Sequence, residues 1–104
     1  MTQKQAIVVG GGIGGLATAA LLAKAGMKVK LFEAREKVGG RAYIWEKDGF
    51  VFDMGPSWYW MPDIFETYFG RFGKKPSDYY DLVRLDPSYS VILSETETID
   101  LPAN

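Results

Sequence analysis

The sequence of 104 residues contains no cysteine and no histidine. These absences exclude disulfide bonds, a thiolate nucleophile, a histidine general base and the cysteine and histidine ligands of the usual zinc sites. An excess of charge of one sign is also missing, because 12 basic residues face 13 acidic ones. A near-neutral chain has little electrostatic attraction for nucleic acid, so we expect no nucleic-acid partner. The lack of cysteine is compatible with a reducing, cytoplasmic location.

An uncharged run over residues 6–23 imitates a signal peptide. Five glycines interrupt it, however, and a glycine in a helix interior costs about 1 kcal/mol relative to alanine. The run is also marginal as a membrane span, which takes about 20 predominantly apolar residues. We therefore interpret it as part of a folded domain.

A short apolar strand over residues 5–9 leads into a glycine-rich turn, where Gly10, Gly12 and Gly15 fill the GxGxxG pattern. In dinucleotide-binding folds the first glycine allows a tight turn, the second leaves room for a pyrophosphate, and the third lets the next helix pack closely on the strand. Small and apolar residues at helical spacing predict a helix over residues 14–25, and a second strand is predicted over residues 27–33. The pattern predicts an α/β fold with a Rossmann-like βαβ unit that binds FAD or NAD(P), with phosphate at the positive N-terminus of the helix.

Glu33 ends the second strand, 18 residues after Gly15. The dinucleotide fold places an acidic residue here to accept hydrogen bonds from a ribose. The same carboxylate would repel a 2′-phosphate, which argues against an NADP-type ligand. The alternative is a solvated glutamate at a strand end.

Gly39, Gly40 and Arg41 follow in a loop and combine free backbone amides with a fixed cation, which suits an anion. A surface loop with a solvated arginine is the alternative. The Asp48-Gly49 pair predicts a β-hairpin with strands over residues 41–46 and 50–53. The hairpin leads into residues 55–57, Gly-Pro-Ser, where glycine permits close approach of the backbone to a planar ligand.

Aromatic and aliphatic residues dominate the stretch after residue 57, and Pro62 is typical of a first helical position. The apolar side chains that follow recur at helical spacing and predict one apolar face. This face either packs against other parts of the domain or lines a tunnel for an apolar substrate. The pattern further predicts two strands, over residues 88–93 and 97–101. The residues of the helix face are Ile64, Phe65, Tyr68, Phe69 and Phe72.

The motifs occur in the order Gly10, Gly12 and Gly15, then Glu33, then the Gly39-Gly40-Arg41 loop and the Gly49 to Pro56 hairpin. Their order and spacing resemble those of the FAD-dependent amine oxidase and phytoene desaturase superfamily. Residues 55–65 are similar to bacterial carotenoid desaturases in particular. The resemblance implies FAD as the cofactor, with pyrophosphate on the glycine-rich turn, ribose on Glu33 and the flavin ring near residues 55–57. No residue of the chain is a convincing general base, so we predict no catalytic side chain. The implied cofactor-binding residues are Gly10, Gly12, Ile13, Gly14, Gly15, Glu33, Ala34, Gly40, Arg41, Gly55, Pro56 and Ser57.

The resemblance also implies an oxidoreductase in which flavin accepts hydride from a carotenoid or other isoprenoid chain. Residues 1–57 would then be the FAD-binding segment, and residues 58–104 the beginning of an α+β substrate or cap domain. Members of the superfamily are several times longer, so we expect an N-terminal piece that is catalytically incomplete.

The partners and the function of the chain have further interpretations. Open sheet edges favour self-association, and peripheral contact with the inner face of a membrane is a further option. The alternatives in function are a flavin amine oxidase, another FAD- or NAD-binding oxidoreductase, and a non-catalytic nucleotide-binding fragment.

Overall fold

Strands β1 (Gln5–Val9) and β2 (Lys28–Phe32) lie side by side in parallel, with helix α1 (Ile13–Lys24) as the crossover between them. The computed structural model describes residues 2–56 and 58–103. The register places Gln5 opposite Lys28 and Val9 opposite Phe32. Parallel strands cannot be joined by a tight hairpin, and an alanine-rich helix that packs closely on the pair supplies the required connection. The predicted βαβ unit is confirmed, with each element within one residue of its expected bounds.

The two faces of the β1–β2 pair differ in exposure. Ala6 and Val8 are half-buried on the side where α1 packs. On the opposite side Ile7 is 67% exposed, Val9 84% and Phe32 56%. Within residues 2–56 and 58–103, no hydrophobic side chain is fully buried and β1 pairs with β2 alone. Exposed apolar side chains therefore remain on this face, together with the open sheet edges that the sequence predicted.

The hairpin consists of β3 (Ile44–Lys47) and β4 (Phe50–Asp53), paired antiparallel. Asp48 and Gly49 join the strands with φ of 51° and 83°, as a two-residue type I′ turn requires. The first strand begins three residues later than residues 41–46 predicted. The reason is that Gly39 and Gly40 have φ of 127° and 60°, which turns the chain into a short 3₁₀ turn, Gly40–Ala42, before the strand begins.

The chain divides after Pro62 into two compact units. Helix α2 spans Pro62–Gly70, with proline at its first position as predicted, and a short 3₁₀ turn occupies Pro76–Asp78. Strands β5 (Tyr89–Ile92) and β6 (Thr98–Leu101) form an antiparallel pair inside the predicted ranges. The ring of Phe69 lies 5.2 Å from that of Tyr79, so part of the apolar helix face packs within its own unit. A functional boundary at residues 57 and 58 stays a prediction.

In the part of the chain that the structure describes, no helix has the length and apolar character needed to cross a membrane. The same residues contain no group of acidic side chains arranged to hold a metal ion.

Candidate dinucleotide-binding site

The glycine-rich turn connects the end of β1 to the first turn of α1. Gly12 is the N-cap residue of α1, no side chain caps this helix end, and no acidic residue lies in its first turn. The first amides of a helix have no intrahelical acceptor, and together with the helix dipole they favour an anion. Ile13, the first residue of the helix, has a 56% exposed side chain. The first turn of α1 therefore presents backbone N–H donors that no side chain of that turn caps or opposes with a negative charge.

The glycines of this turn differ in what limits a side chain. A Cβ on Gly15 would run into the carbonyl oxygen of Gly10, and it would lie 3.0 Å from the carbonyl carbon of Gly10. A Cβ on Gly14 would meet no protein atom within 4 Å, and one on Gly12 would make an ordinary 3.8 Å contact with Gly40. The chain itself therefore requires glycine at 15 for close helix packing, whereas positions 12 and 14 are open on the side that a ligand could approach.

Glu33 follows β2 and turns its carboxylate back onto the glycine-rich turn. Oε2 accepts a 2.6 Å hydrogen bond from the backbone N–H of Gly11, and Oε1 accepts a 3.0 Å bond from the N–H of Arg35. The hydrogen bonds from Arg35 and Gly11 lower the pKa of Glu33 below its ordinary value of 4.5, with a further contribution from the N–H of Ala34. The carboxylate is thus ionised at neutral pH and held in one orientation beside the turn.

The loop after Glu33 approaches the glycine-rich turn at Gly39 and Gly40. The N–H of Gly39 donates a 2.7 Å bond to the carbonyl of Gly11, and Gly12 and Gly39 form an isolated parallel bridge. A Cβ on Gly40 would lie 2.9 Å from the Cα of Gly12. The turn that carries Arg41 is therefore placed against the glycine-rich turn by backbone contacts. Arg41 itself is exposed.

Gly55 and Pro56 follow β4, and Gly55 lies against the 3₁₀ turn. A Cβ on Gly55 would run into the carbonyl oxygen of Arg41 and would lie 3.1 Å from the Cα of Ala42. The N–H of Met54 donates a 3.1 Å bond to the carbonyl of Tyr43, which fixes the end of the hairpin to the segment after the turn. Ser57, the last of the predicted binding residues, lies outside the described residues.

The structure thus brings the predicted residues from four segments of the chain into one connected neighbourhood. Two residues outside the implied cofactor-binding set, Gly11 and Gly39, take part in it. Gly11 bonds both Glu33 and Gly39 through its backbone, and Gly39 bridges to Gly12. Gly11 lies inside the GxGxxG motif at a variable position, and that is why the motif alone does not mark it. Gly39 was recognised as half of a glycine pair, but its bond to Gly11 depends on the tertiary fold.

A family model described as an NAD(P)-binding Rossmann-like domain matches residues 8–72 of this chain. That range contains the glycine-rich turn, Glu33, Arg41 and Gly55. The chain belongs to this family. The α/β dinucleotide-binding fold predicted from the sequence is confirmed by this match and by the parallel β1–α1–β2 unit.

Curated relatives confirm the resemblance to carotenoid desaturases. A carotenoid 3,4-desaturase of Haloarcula japonica is 60% identical over 90% of this chain and 19% of the relative. A 4,4′-diapolycopene oxygenase of a Methylomonas species is 44% identical over 94% of the chain and 20% of the relative. The chain therefore spans about a fifth of the length of these relatives. A solved putrescine oxidase is 46% identical over 55% of this chain and 12% of its own, at a TM-score of 0.47 that is too low to bear on the fold.

Proposed function

We propose that this chain is the FAD-binding segment of an oxidoreductase that introduces double bonds into a carotenoid-type isoprenoid chain. The observation that carries the proposal is the placement of the Glu33 carboxylate beside the uncapped N-terminus of α1. A group with a diphosphate next to a ribose matches both features at once. The residues present therefore fit an adenine dinucleotide.

The phosphate half of the site is supported by charge and by space. The amides of Ile13, Gly14 and Gly15 form the first turn of α1, where no side-chain acceptor or acidic group competes for them. Because the Cβ position of Gly14 is free of protein atoms, a phosphate can approach the backbone there. Arg41 extends from the adjoining 3₁₀ turn and supplies a cation without an ion pair of its own among residues 2–56 and 58–103.

The ribose half of the site is supported by the hydrogen bonds of Glu33. An ionised carboxylate has about four acceptor positions, and the two backbone bonds to Gly11 and Arg35 occupy one on each oxygen. With the N–H of Ala34 as a further donor, about one acceptor position remains for a hydroxyl of a ribose. A 2′-phosphate would meet a fixed negative charge, so the site favours FAD or NAD over NADP.

FAD is preferred to NAD because of the similarity to carotenoid desaturases and because of the segments at Arg41 and Gly55. In this proposal Gly10, Gly12, Ile13, Gly14 and Gly15 hold the pyrophosphate, and Glu33 with Ala34 holds the ribose end. Flavin, when bound, supplies the capacity to accept a hydride. The chain contributes the position and the electrostatics of the cofactor, with Gly40, Arg41, Gly55, Pro56 and Ser57 toward the flavin side.

The substrate class is supported by the relatives alone. Their names describe carotenoid desaturases and a diapolycopene oxygenase, which act on long apolar chains. We propose the same class of substrate for the whole protein, in the cytoplasm or at the inner face of the membrane. Residues 58–104 would belong to the substrate or cap region.

The test is calorimetric titration of the purified chain with FAD, ADP, NAD⁺ and NADP⁺. We expect binding of FAD and ADP, weaker binding of NAD⁺ and none of NADP⁺. Glu33→Gln should weaken FAD binding about 10- to 100-fold, the range for hydrogen bonds to a charged group. Glu36→Gln is the matched control, because it makes the same chemical change at an exposed loop position three residues away.

Each other outcome selects an alternative. Preference for NAD⁺ over FAD would overturn the flavoenzyme assignment in favour of an NAD-dependent oxidoreductase. Binding of ADP without any gain from the flavin half would identify a nucleotide-binding module that does not recognise flavin. Equal binding by the wild-type chain and Glu33→Gln would remove Glu33 from the site.

A further inference from the structure

We infer that Gly55 is a positioning residue that sets the place of the Arg41 turn, and that its lack of a side chain serves the protein backbone rather than the ligand. This inference rests on the proposed function, because the group positioned is the proposed phosphate-side cation. It differs from the sequence interpretation, in which Gly55 lets the backbone approach the flavin.

The contact that carries the inference is steric. The three protein atoms nearest to a Cβ on Gly55 are the carbonyl oxygen and carbonyl carbon of Arg41 and the Cα of Ala42. All three belong to the backbone, so no side-chain rotation could relieve the overlap. The backbone of Gly55 is not in the left-handed region, and the requirement for glycine is therefore one of space and not of conformation.

The first residue of the same turn is limited in the same way. A Cβ on Gly40 would lie 2.9 Å from the Cα of Gly12, again a backbone atom. The 3₁₀ turn Gly40–Ala42 thus approaches the backbone of Gly12 at its first residue and the backbone of Gly55 at its last two residues. A side chain at residue 55 therefore requires a backbone shift of the turn or of the hairpin end, and a shift of the turn alters its approach to Gly12.

Hydrogen bonds connect the three segments. The N–H of Met54 bonds the carbonyl of Tyr43, and the N–H of Ala42 bonds the carbonyl of Gly39 at 3.0 Å. The N–H of Gly39 in turn bonds the carbonyl of Gly11. The end of β4 is therefore connected to the glycine-rich turn by backbone alone, and the hairpin acts as a support for the loop that carries Arg41.

The experiment compares Gly55→Ala with Gly70→Ala in the 104-residue chain. Gly70 is the matched control because its added Cβ meets no atom within 4 Å and its φ is not positive. The first measurement is the amide NMR spectrum without ligand. We expect Gly55→Ala to shift the amides of Gly39 to Ala42 and of Gly12, with those of β1 and β2 unchanged.

Two ligand-free results would overturn the inference. One is a set of shifts confined to the neighbours of residue 55 in sequence. The other is loss of the dispersed β1 and β2 signals, because Gly55 would then be needed for folding of the whole unit and not for the placement of one turn. The spectrum can be measured even if the chain binds no dinucleotide. Failure of the proposed function is therefore distinguished from failure of this inference.

A double-mutant cycle tests the link to Arg41. We expect Arg41→Gln and Gly55→Ala each to weaken FAD binding about tenfold, and the double variant to lose little more than either single variant. Multiplication of the two losses would show that Gly55 acts independently of Arg41 and would overturn the positioning role. Gly70→Ala should bind as the wild type does.

Discussion

Alanine substitutions at the neighbouring glycines 14 and 15 should have opposite effects on stability. Both residues lie in the first turn of α1, so the two substitutions are matched in helix position and chemistry. The difference lies in their surroundings, since a Cβ on Gly15 overlaps the carbonyl of Gly10 and a Cβ on Gly14 meets nothing within 4 Å.

The magnitudes follow from these contacts. Gly15→Ala must move the backbone of the strand-to-helix turn, and overpacking of this kind costs about 1–3 kcal/mol. Gly14→Ala has no such cost. Because alanine lowers the conformational entropy of the unfolded chain, this substitution should stabilise the folded chain by about 0.4–1 kcal/mol. For a domain of about 100 residues, each kcal/mol moves Tm by about 4–8 °C. The two variants should therefore melt on opposite sides of the wild type.

The affinity of the Gly14→Ala variant for FAD should not follow its stability. If phosphate approaches the open side of Gly14, the more stable Gly14→Ala variant should nevertheless bind FAD at least tenfold more weakly. Thermal unfolding followed by circular dichroism and calorimetric titration measure the two effects independently. Equal melting of Gly15→Ala and the wild type would refute the steric reasoning. Unchanged FAD binding by Gly14→Ala would refute the placement of phosphate at this turn.

Three further predictions concern charge, turn geometry and association. Hydrogen bonds lower the pKa of Glu33 in the folded chain, so the ionised carboxylate should stabilise the fold fully above about pH 5 and lose this effect as the pH falls through the lowered pKa. Urea unfolding at a series of pH values measures this dependence. The same loss of stability in acid for Glu33→Gln as for the wild type would contradict it. Gly49→Ala, at φ of 83°, should destabilise the hairpin by about 1–2 kcal/mol, measured by amide exchange of β3 and β4; unchanged protection there would be inconsistent with the turn geometry. Val9→Thr, at an apolar position that is 84% exposed, should reduce self-association in sedimentation velocity while the β-branched shape is kept; the same distribution as wild type would mean that this sheet face does not mediate it.

The local elements of the first unit could be predicted from the sequence because their signals are local. Continuous β-branched residues specify β1, small residues at helical spacing specify α1, and the Asp48-Gly49 pair specifies the turn geometry. The position of Glu33 after β2 follows from the same counting. Each of these depends on residues adjacent in the chain or one crossover apart, where sequence distance and spatial distance agree.

The contacts among the glycine-rich turn, the Arg41 turn and Gly55 depend on the tertiary structure. Gly11 and Glu33 are 22 residues apart, yet their 2.6 Å bond orients the carboxylate. The GxGxxG motif predicts close packing at Gly15, but only the tertiary structure shows that the carbonyl of Gly10 excludes a side chain there and that the carbonyl of Arg41 does so at Gly55. The sequence by itself determined the βαβ fold and the chemical type of the site, because periodicity and motif spacing encode them. The tertiary structure decided which glycines are packed against protein backbone and which are open, because that depends on which backbone atoms the fold brings within contact distance.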